Sequence, residues 1–493
     1  MKRLALTLLL CALASQAPAQ GWRLRLDAAA QRVSFHGITA DSVAESATHV
    51  NSRGGIESAD GFAVDCVGDG YCRFYRPGSI LTGVPFSVGA DLTLWGLGVT
   101  GLSVHVNARA ISDLTGDRLW PGTSPLLRLV EGYAEYNHDR LTVTGGRMLE
   151  RGRLASAGSS GLDGIRGTWR WDRGGVEVGG YAGWGMARGT ILPITSPAVD
   201  PLADFQPSSR QVVVGLVAGA HLNRTDVQAE YRRELDPTTH YIVVERAAVT
   251  TQFRPERRLR LLAAADYDLA QAHVGSVDVS ATFTEARISG TIAARHYQPF
   301  FDLWTVWGAF SPVPFNGVSA ALTVNPTLKL QLRSRAEWFK YDAAGTSAPE
   351  VTLADRGWRW SVEGTFAPVE QWSLELDTHG ERQPGASSSG IDGRVTWHPR
   401  GALDLSVSGG SLARPLELRF QDAAVTYAGA SAAYRVGERW RVDVAMDRYW
   451  ESRDRPDASA FDWNQWRLSA RVALTLRSSA DRWLPPARTV STP

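Results

Sequence analysis

Leu328-Lys329-Leu330-Gln331-Leu332-Arg333-Ser334-Arg335-Ala336-Glu337-Trp338 sorts its side chains by parity. Even positions carry Leu, Leu, Leu, Ser, Ala and Trp; odd positions carry Lys, Gln, Arg, Arg and Glu. Successive side chains of a strand leave on opposite faces, so a period of two predicts a β-strand with one apolar and one charged face. Trp372–His379 and Trp440–Asp447 repeat the pattern, and from Phe86 onward stretches of this kind follow one another, each closed by a turn. Convincing amphipathic helices are absent. No uninterrupted apolar run reaches the roughly 18 residues of a membrane helix, which leaves open a membrane protein that hides its character by alternation.

The spacers between these stretches alternate short and long. Short ones are read at 99–100, 137–139, 172–173, 223–225, 254–256, 284–285, 325–326, 367–369, 398–400 and 435–437. Between them fall longer ones at 114–126, 150–160, 188–210, 235–239, 269–272, 298–316, 342–356, 382–389, 412–421 and 451–462. Tight periplasmic turns and longer external loops give a closed outer-membrane barrel this rhythm; a soluble sandwich or propeller has no reason for it. The expected fold is all-β: a transmembrane antiparallel up-and-down barrel. Phe86 begins a strand that runs inward, so an outward strand must precede it, and the alternation of Trp22-Arg23-Leu24-Arg25-Leu26-Asp27 supplies one. That makes about 22 strands; the range is 20–24, with 24 if the arms around Cys66 and Cys72 also cross.

The start of the chain reads as an export signal over 1–19: Lys2 and Arg3, an apolar core Leu4–Ala14 containing Cys11, and Ala17-Pro18-Ala19 as a cleavage site. The remaining organisation is an N-terminal strand and first loop over 20–85, the barrel over 86–477 and a tail over 478–493. Cys66 and Cys72 flank a Gly-rich turn. In an exported chain, two such cysteines suggest a local disulfide, the alternative being a redox or metal pair; two sulfurs with no nearby His make a poor metal site.

The chain has 493 residues, of which 44% are hydrophobic and 21% charged. The 52 basic residues, only three of them lysines, nearly balance 51 acidic ones, so no field points to nucleic acid. Gly96-Leu97-Gly98-Val99-Thr100-Gly101 matches a dinucleotide-binding glycine pattern. That motif works only between a strand and a helix, and here it joins two strands. No phosphate-binding loop, His-Glu-x-x-His, Gly-x-Ser-x-Gly or haem-attachment motif occurs. Neither enzymatic activity nor a bound cofactor or metal is expected.

As a whole, residues 22–477 resemble the bacterial outer-membrane β-barrel (porin-like) class, in rhythm rather than by any motif. The resemblance implies the outer membrane as location, with its lipid and the barrel-assembly machinery as partners. It departs at the end: the last strand, Trp466–Leu476, is followed by a tail where many such barrels stop on a terminal aromatic residue, which makes Leu474-Thr475-Leu476 the candidate internal signal.

In such a barrel the polar set lines the lumen. The predicted lining includes Lys329, Arg333, Arg335 and Glu337; Glu375, Asp377 and Glu381; Asp226, Glu230, Arg232 and Glu234; and Arg441, Asp443 and Asp447. His379 lies on the same face as a pore-lining residue. Both signs occur, so ion pairs that stiffen the wall are expected more than strong selectivity. About 22 strands leave a wide lumen, and the roughly 65 mature residues before Phe86 are too few for a folded plug. Narrowing is expected from loops or from a partner. Segment 188–210 is Pro-rich, and 298–316 carries Phe300, Phe301, Trp304, Trp307, Phe310 and Phe315, which pack inward, lie on the membrane rim or meet a partner. Three functions remain open: a wide pore for small hydrophilic solutes; a sheath around a partner such as a multihaem cytochrome, by architectural similarity to the barrels of porin–cytochrome conduits; and a loop-based receptor or adhesin.

Overall fold

A computed structural model of the chain describes residues 21–478, except 51–54, 63, 67, 69, 116–125, 150–151, 157–160, 172–174, 187–209, 299–313, 342–355, 384–385, 414–423 and 453–464. The proposed signal segment, loop 188–210 apart from Arg210, and Phe300, Phe301, Trp304, Trp307 and Phe310 lie outside the described residues. So does the tail beyond Ser478.

Twenty-two antiparallel strands, each paired with its sequence neighbours, form the wall. The ring closes where the first strand, Gly21–Ala44, meets the last, Gln465–Arg477, from Arg23↔Arg477 to Arg32↔Leu468. On its other side the same stretch pairs with Pro85–Trp95, from Gly21↔Trp95 to Ala30↔Phe86. Closure leaves no sheet edge with unpaired backbone groups, which a bilayer would penalise.

Only the first part of Gly21–Ala44 belongs to the wall. From Val33 to Ala44 the strand pairs with Tyr71–Gly83, which leads through Val84 into Pro85–Trp95. The result is a two-stranded ribbon rising from the external rim. Its tip is tied by the Cys66–Cys72 disulfide, whose residues are also register partners. The ribbon therefore belongs to the first external loop and adds no membrane strands.

The periplasmic turns are short, as at 139–140, 223–224, 257–258, 328–329 and 401–402. Asp139 and Gly437 take the positive φ that such turns require, at 50° and 64°. One expected long loop is corrected. Residues 382–389 are mostly strand: Trp372–Gln383 and Ala386–Arg400 pair as far as Gln383↔Ala386. Polar composition there marks a hairpin whose two strands extend above the membrane.

Candidate functional site: the lumenal wall

The register fixes the two faces round the whole ring. Ile165, Leu216, Ile292, Leu376 and Val407, each more than half exposed and each near mid-strand, occupy one parity on their strands. That face is the lipid band. The opposite parity faces the lumen, and cross-strand partners carry it from Glu230↔Ala248 through Glu337↔Arg359 to Asp447↔Arg467.

One sector of the lumen is covered from inside. The connection between Leu141–Leu149 and Gly161–Trp171 does not stay at the rim. Its short 3-10 element, Arg153–Ser156, turns in against strands Thr225–Leu235, Ile242–Glu256, Leu259–Asp268 and His273–Thr284. Arg153 reaches Asp278 at 2.6 Å and Asp266 at 3.6 Å, and donates to Ser276. The Leu154 N–H donates to Glu230 at 3.3 Å, and the Leu154 side chain is almost fully buried. Gly152 makes the inward turn at φ 145°, where a Cβ would stand 2.8 Å from the Glu230 carboxylate. All these wall partners face the lumen, so the segment lies inside the barrel, against strands three to six places round from its own root.

Beneath and beside it the charges are shielded. Arg232 and Glu234 pair at 2.7 Å with both side chains fully buried. Arg246 sits 3.2 Å from Asp266 and 3.3 Å from Asp268, and Ser276 donates to Asp266. A buried charge is tolerated only when paired and hydrogen-bonded. Next to this network the lumenal face turns apolar, with Met148, Leu162, Tyr181, Val213 and Val217 in one buried cluster.

The rest of the wall is more open. Arg333 pairs with Glu363 at 3.2 Å, and Arg441 with Asp443 at 2.8 Å. Glu337 is gripped by Arg295, by Arg335 at 3.4 Å and by Arg359 at 2.8 Å. Glu375 is exposed, Glu381 is half-buried opposite Arg359, and Asp447 is half-buried opposite Arg467. Asp226 lies at the periplasmic end beside His221, at 3.0 Å. A cavity of about 940 Å³ opens on this sector, lined in part by Arg25, Gln31, His398, Asp404, Arg441 and Arg471.

Two expected placements are corrected. Lys329 is not part of the lining: it sits in the turn before Leu330–Tyr341 and its ammonium caps the Pro368 carbonyl at 2.6 Å. Phe315 is not a loop residue. It opens the strand Phe315–Thr327 on the lumenal face, 5.7 Å from the Tyr297 ring and 5.9 Å from Phe339, with the Arg295 guanidinium 4.7 Å above it.

The inward segment is the feature that sequence reading missed. Glu150-Arg151-Gly152-Arg153 looks like any polar loop, and its partners stand on separate strands 76 to 125 residues away. Only the topology brings them together. Sequence spacing likewise flags no metal ligands, yet Asp377, His379 and Asp392 bring three ligand atoms within 4.8 Å of one another.

No protein-family model matches the chain, and no curated protein matches it. Solved structures do. A mutant of the ferric enterobactin receptor PfeA from Pseudomonas aeruginosa, in complex with enterobactin, is similar over 94% of this chain and 82% of its own, at a TM-score of 0.51 and 9% identity. The siderophore receptor PirA from Acinetobacter baumannii is similar over 92% and 80%, at a TM-score of 0.51 and 9% identity. These likenesses concern the fold. A closed 22-strand barrel with an apolar outer band is an outer-membrane β-barrel, and its place is the outer membrane of a Gram-negative cell.

Proposed function

We propose that the chain forms a pore that passes small hydrophilic solutes across the outer membrane, narrowed on one side by the segment Gly152–Ser156. The carrying observation is the division of the lumenal wall. The inward segment covers the sector from Thr225 to Thr284, while the sector from Arg356 to Arg477 keeps charged and small side chains such as Arg441, Asp443 and Ser469 open to the lumen. Such a lining would cost too much against an apolar filling, so it works against water or a polar solute. Charges of both signs along it suit neutral and zwitterionic solutes as well as ions. Most of the described chain between Gly21 and Trp95 goes into the wall and the external ribbon, the remainder into a short 3-10 turn, Glu45–Ala47, and a small hairpin of His49–Val50 with Ile56–Glu57.

Planar-bilayer recording on the purified chain tests the reading. A stable unit conductance, with sugar entry into liposomes carrying the barrel, is the expected result. A lumen that conducts nothing and co-purifies with a multihaem protein would replace the pore by a sheath. A silent barrel with no such partner would turn attention to the external loops as a receptor surface.

A further inference from the structure

Asp377 and Asp392 are register partners on the lumenal face of the hairpin formed by Trp372–Gln383 and Ala386–Arg400. Like charges directly opposite one another across an antiparallel pair repel. Elsewhere the lumenal carboxylates meet arginines, as Glu363 meets Arg333 and Glu337 meets three. Among the described residues, no arginine or lysine comes within ion-pair distance of Asp377 or Asp392. What stands there is an imidazole: His379 Nδ1 lies 2.9 Å from Asp377.

The surroundings hold this trio in place. The Tyr427 hydroxyl donates to Asp392 at 2.5 Å. His379 rests over Gly390, where a Cβ would come within 2.6 Å of the ring, and Asp392 rests against Gly410, where a Cβ would collide with the carboxylate. Two carboxylate oxygens and one imidazole nitrogen thus converge within 4.8 Å of one another. Donors about 2.0–2.2 Å from a tetrahedral ion stand roughly 3.3–3.6 Å apart, so side-chain rotations that move these atoms by about an ångström close the set.

The geometry points to a divalent-cation site on the lumenal wall, formed by Asp377, His379 and Asp392, that takes a first-row transition ion of the Zn²⁺, Ni²⁺ or Co²⁺ type. The mixed nitrogen and oxygen set selects such ions; Ca²⁺ and Mg²⁺ sites are built from oxygen alone. Three protein ligands leave positions open to lumenal water. Tyr427 orients Asp392 from behind, the part that outer partners of metal ligands play. The site does not depend on the pore reading, but if the lumen conducts, an ion held here lies in the path.

The test uses the untagged full chain, folded in detergent, with Zn²⁺ followed by calorimetry and Co²⁺ by visible absorption. One equivalent is expected. His379→Gln and Asp392→Asn should each weaken it at least tenfold, and Tyr427→Phe should weaken it about tenfold. Heat-dependent gel migration reports that each variant is folded. His105, on another part of the lumenal face near Glu131 and Asp91, is the control. Loss of binding in His105→Gln rather than His379→Gln would overturn the assignment. So would no binding at the highest soluble Zn²⁺, or equal binding of Ca²⁺ that ignores His379→Gln. A bilayer readout separates this inference from the pore. Zn²⁺ should lower the conductance of the wild type but not of Asp392→Asn, whereas Zn²⁺ binding by a barrel that never conducts would keep the site and remove the pore.

Discussion

Arg232 and Arg441 occupy equivalent places in the alternation. Each faces the lumen and each pairs with the acid two residues further on, at 2.7 Å to Glu234 and 2.8 Å to Asp443. In sequence and in distance the pairs are twins. They differ in what lies over them: Arg232 and Glu234 are fully buried in the covered sector, while the Arg441 side chain is 56% exposed in the open one. A shielded pair is held by a strong local field and leaves a costly orphan when broken; a solvated pair is screened. Cover, rather than contact geometry, decides what a lumenal ion pair contributes.

Breaking the covered pair should have the largest effect. Arg232→Ala removes the 2.7 Å ion pair of a fully buried carboxylate, Glu234, and is expected to destabilise the barrel by about 3–5 kcal/mol. Urea unfolding of the detergent-folded protein, followed by tryptophan fluorescence, measures it. A loss no larger than that of Arg441→Ala would erase the distinction between the sectors.

The lipid face should not feel that distinction. Leu216, behind the buried lumenal cluster of Val213 and Val217 that borders the covered sector, and Leu376, behind the open one, both point outward near mid-strand. Leu216→Arg and Leu376→Arg should each cost about 2–4 kcal/mol, the penalty for a cation near the bilayer midplane. Unfolding in lipid vesicles checks it. A clear inequality would show that cover inside the lumen also stiffens the wall against the membrane.

Releasing the cover itself comes next. Arg153→Ala removes the contacts to Asp266, Ser276 and Asp278 and should cost about 1–3 kcal/mol, within the range for buried hydrogen-bond partners left unmet. Its sharper consequence is a larger unit conductance, because the segment loses its anchor on the far strands. Unchanged conductance with reduced stability would make Gly152–Ser156 a brace rather than a constriction.

How much of this could be read from sequence follows from the range of each interaction. The alternation in Leu328–Trp338 is a local property, so faces, strand number and the side of each long connection are legible. Composition misled at 382–389, because strand above the membrane contacts water on both faces and loses its apolar parity. The ribbon was hidden for a similar reason: after Gln31-Arg32 the first strand no longer needs an apolar face. The covered sector was out of reach, since Arg153 meets Glu230's neighbours only after strands distant in sequence have closed into a ring. The ligand trio falls between these cases. Asp377 and His379 share a face visibly, but Asp392 joins them only through the register of a hairpin whose polar end looks like a loop in sequence.

The smallest expected effect is the most informative about transport. Arg441→Ala should change stability by only about 0–1 kcal/mol, as exposed pairs do. Yet Arg441 lines the cavity on the open sector together with Arg25, Arg471, Asp443 and Asp404, so its loss removes one of three cations facing two acids and makes that stretch of the lumen less positive. Reversal potentials in a salt gradient should then shift towards cation preference, and the shift should shrink as salt rises, because exposed charges are screened over about 10 Å at 0.1 M. Arg232→Ala removes the same charge from the covered sector and should shift the reversal potential less while destabilising more. The crossed ranking of stability against selectivity is the signature of a wall whose two sectors divide these tasks; parallel rankings would mean that solutes pass both sectors alike.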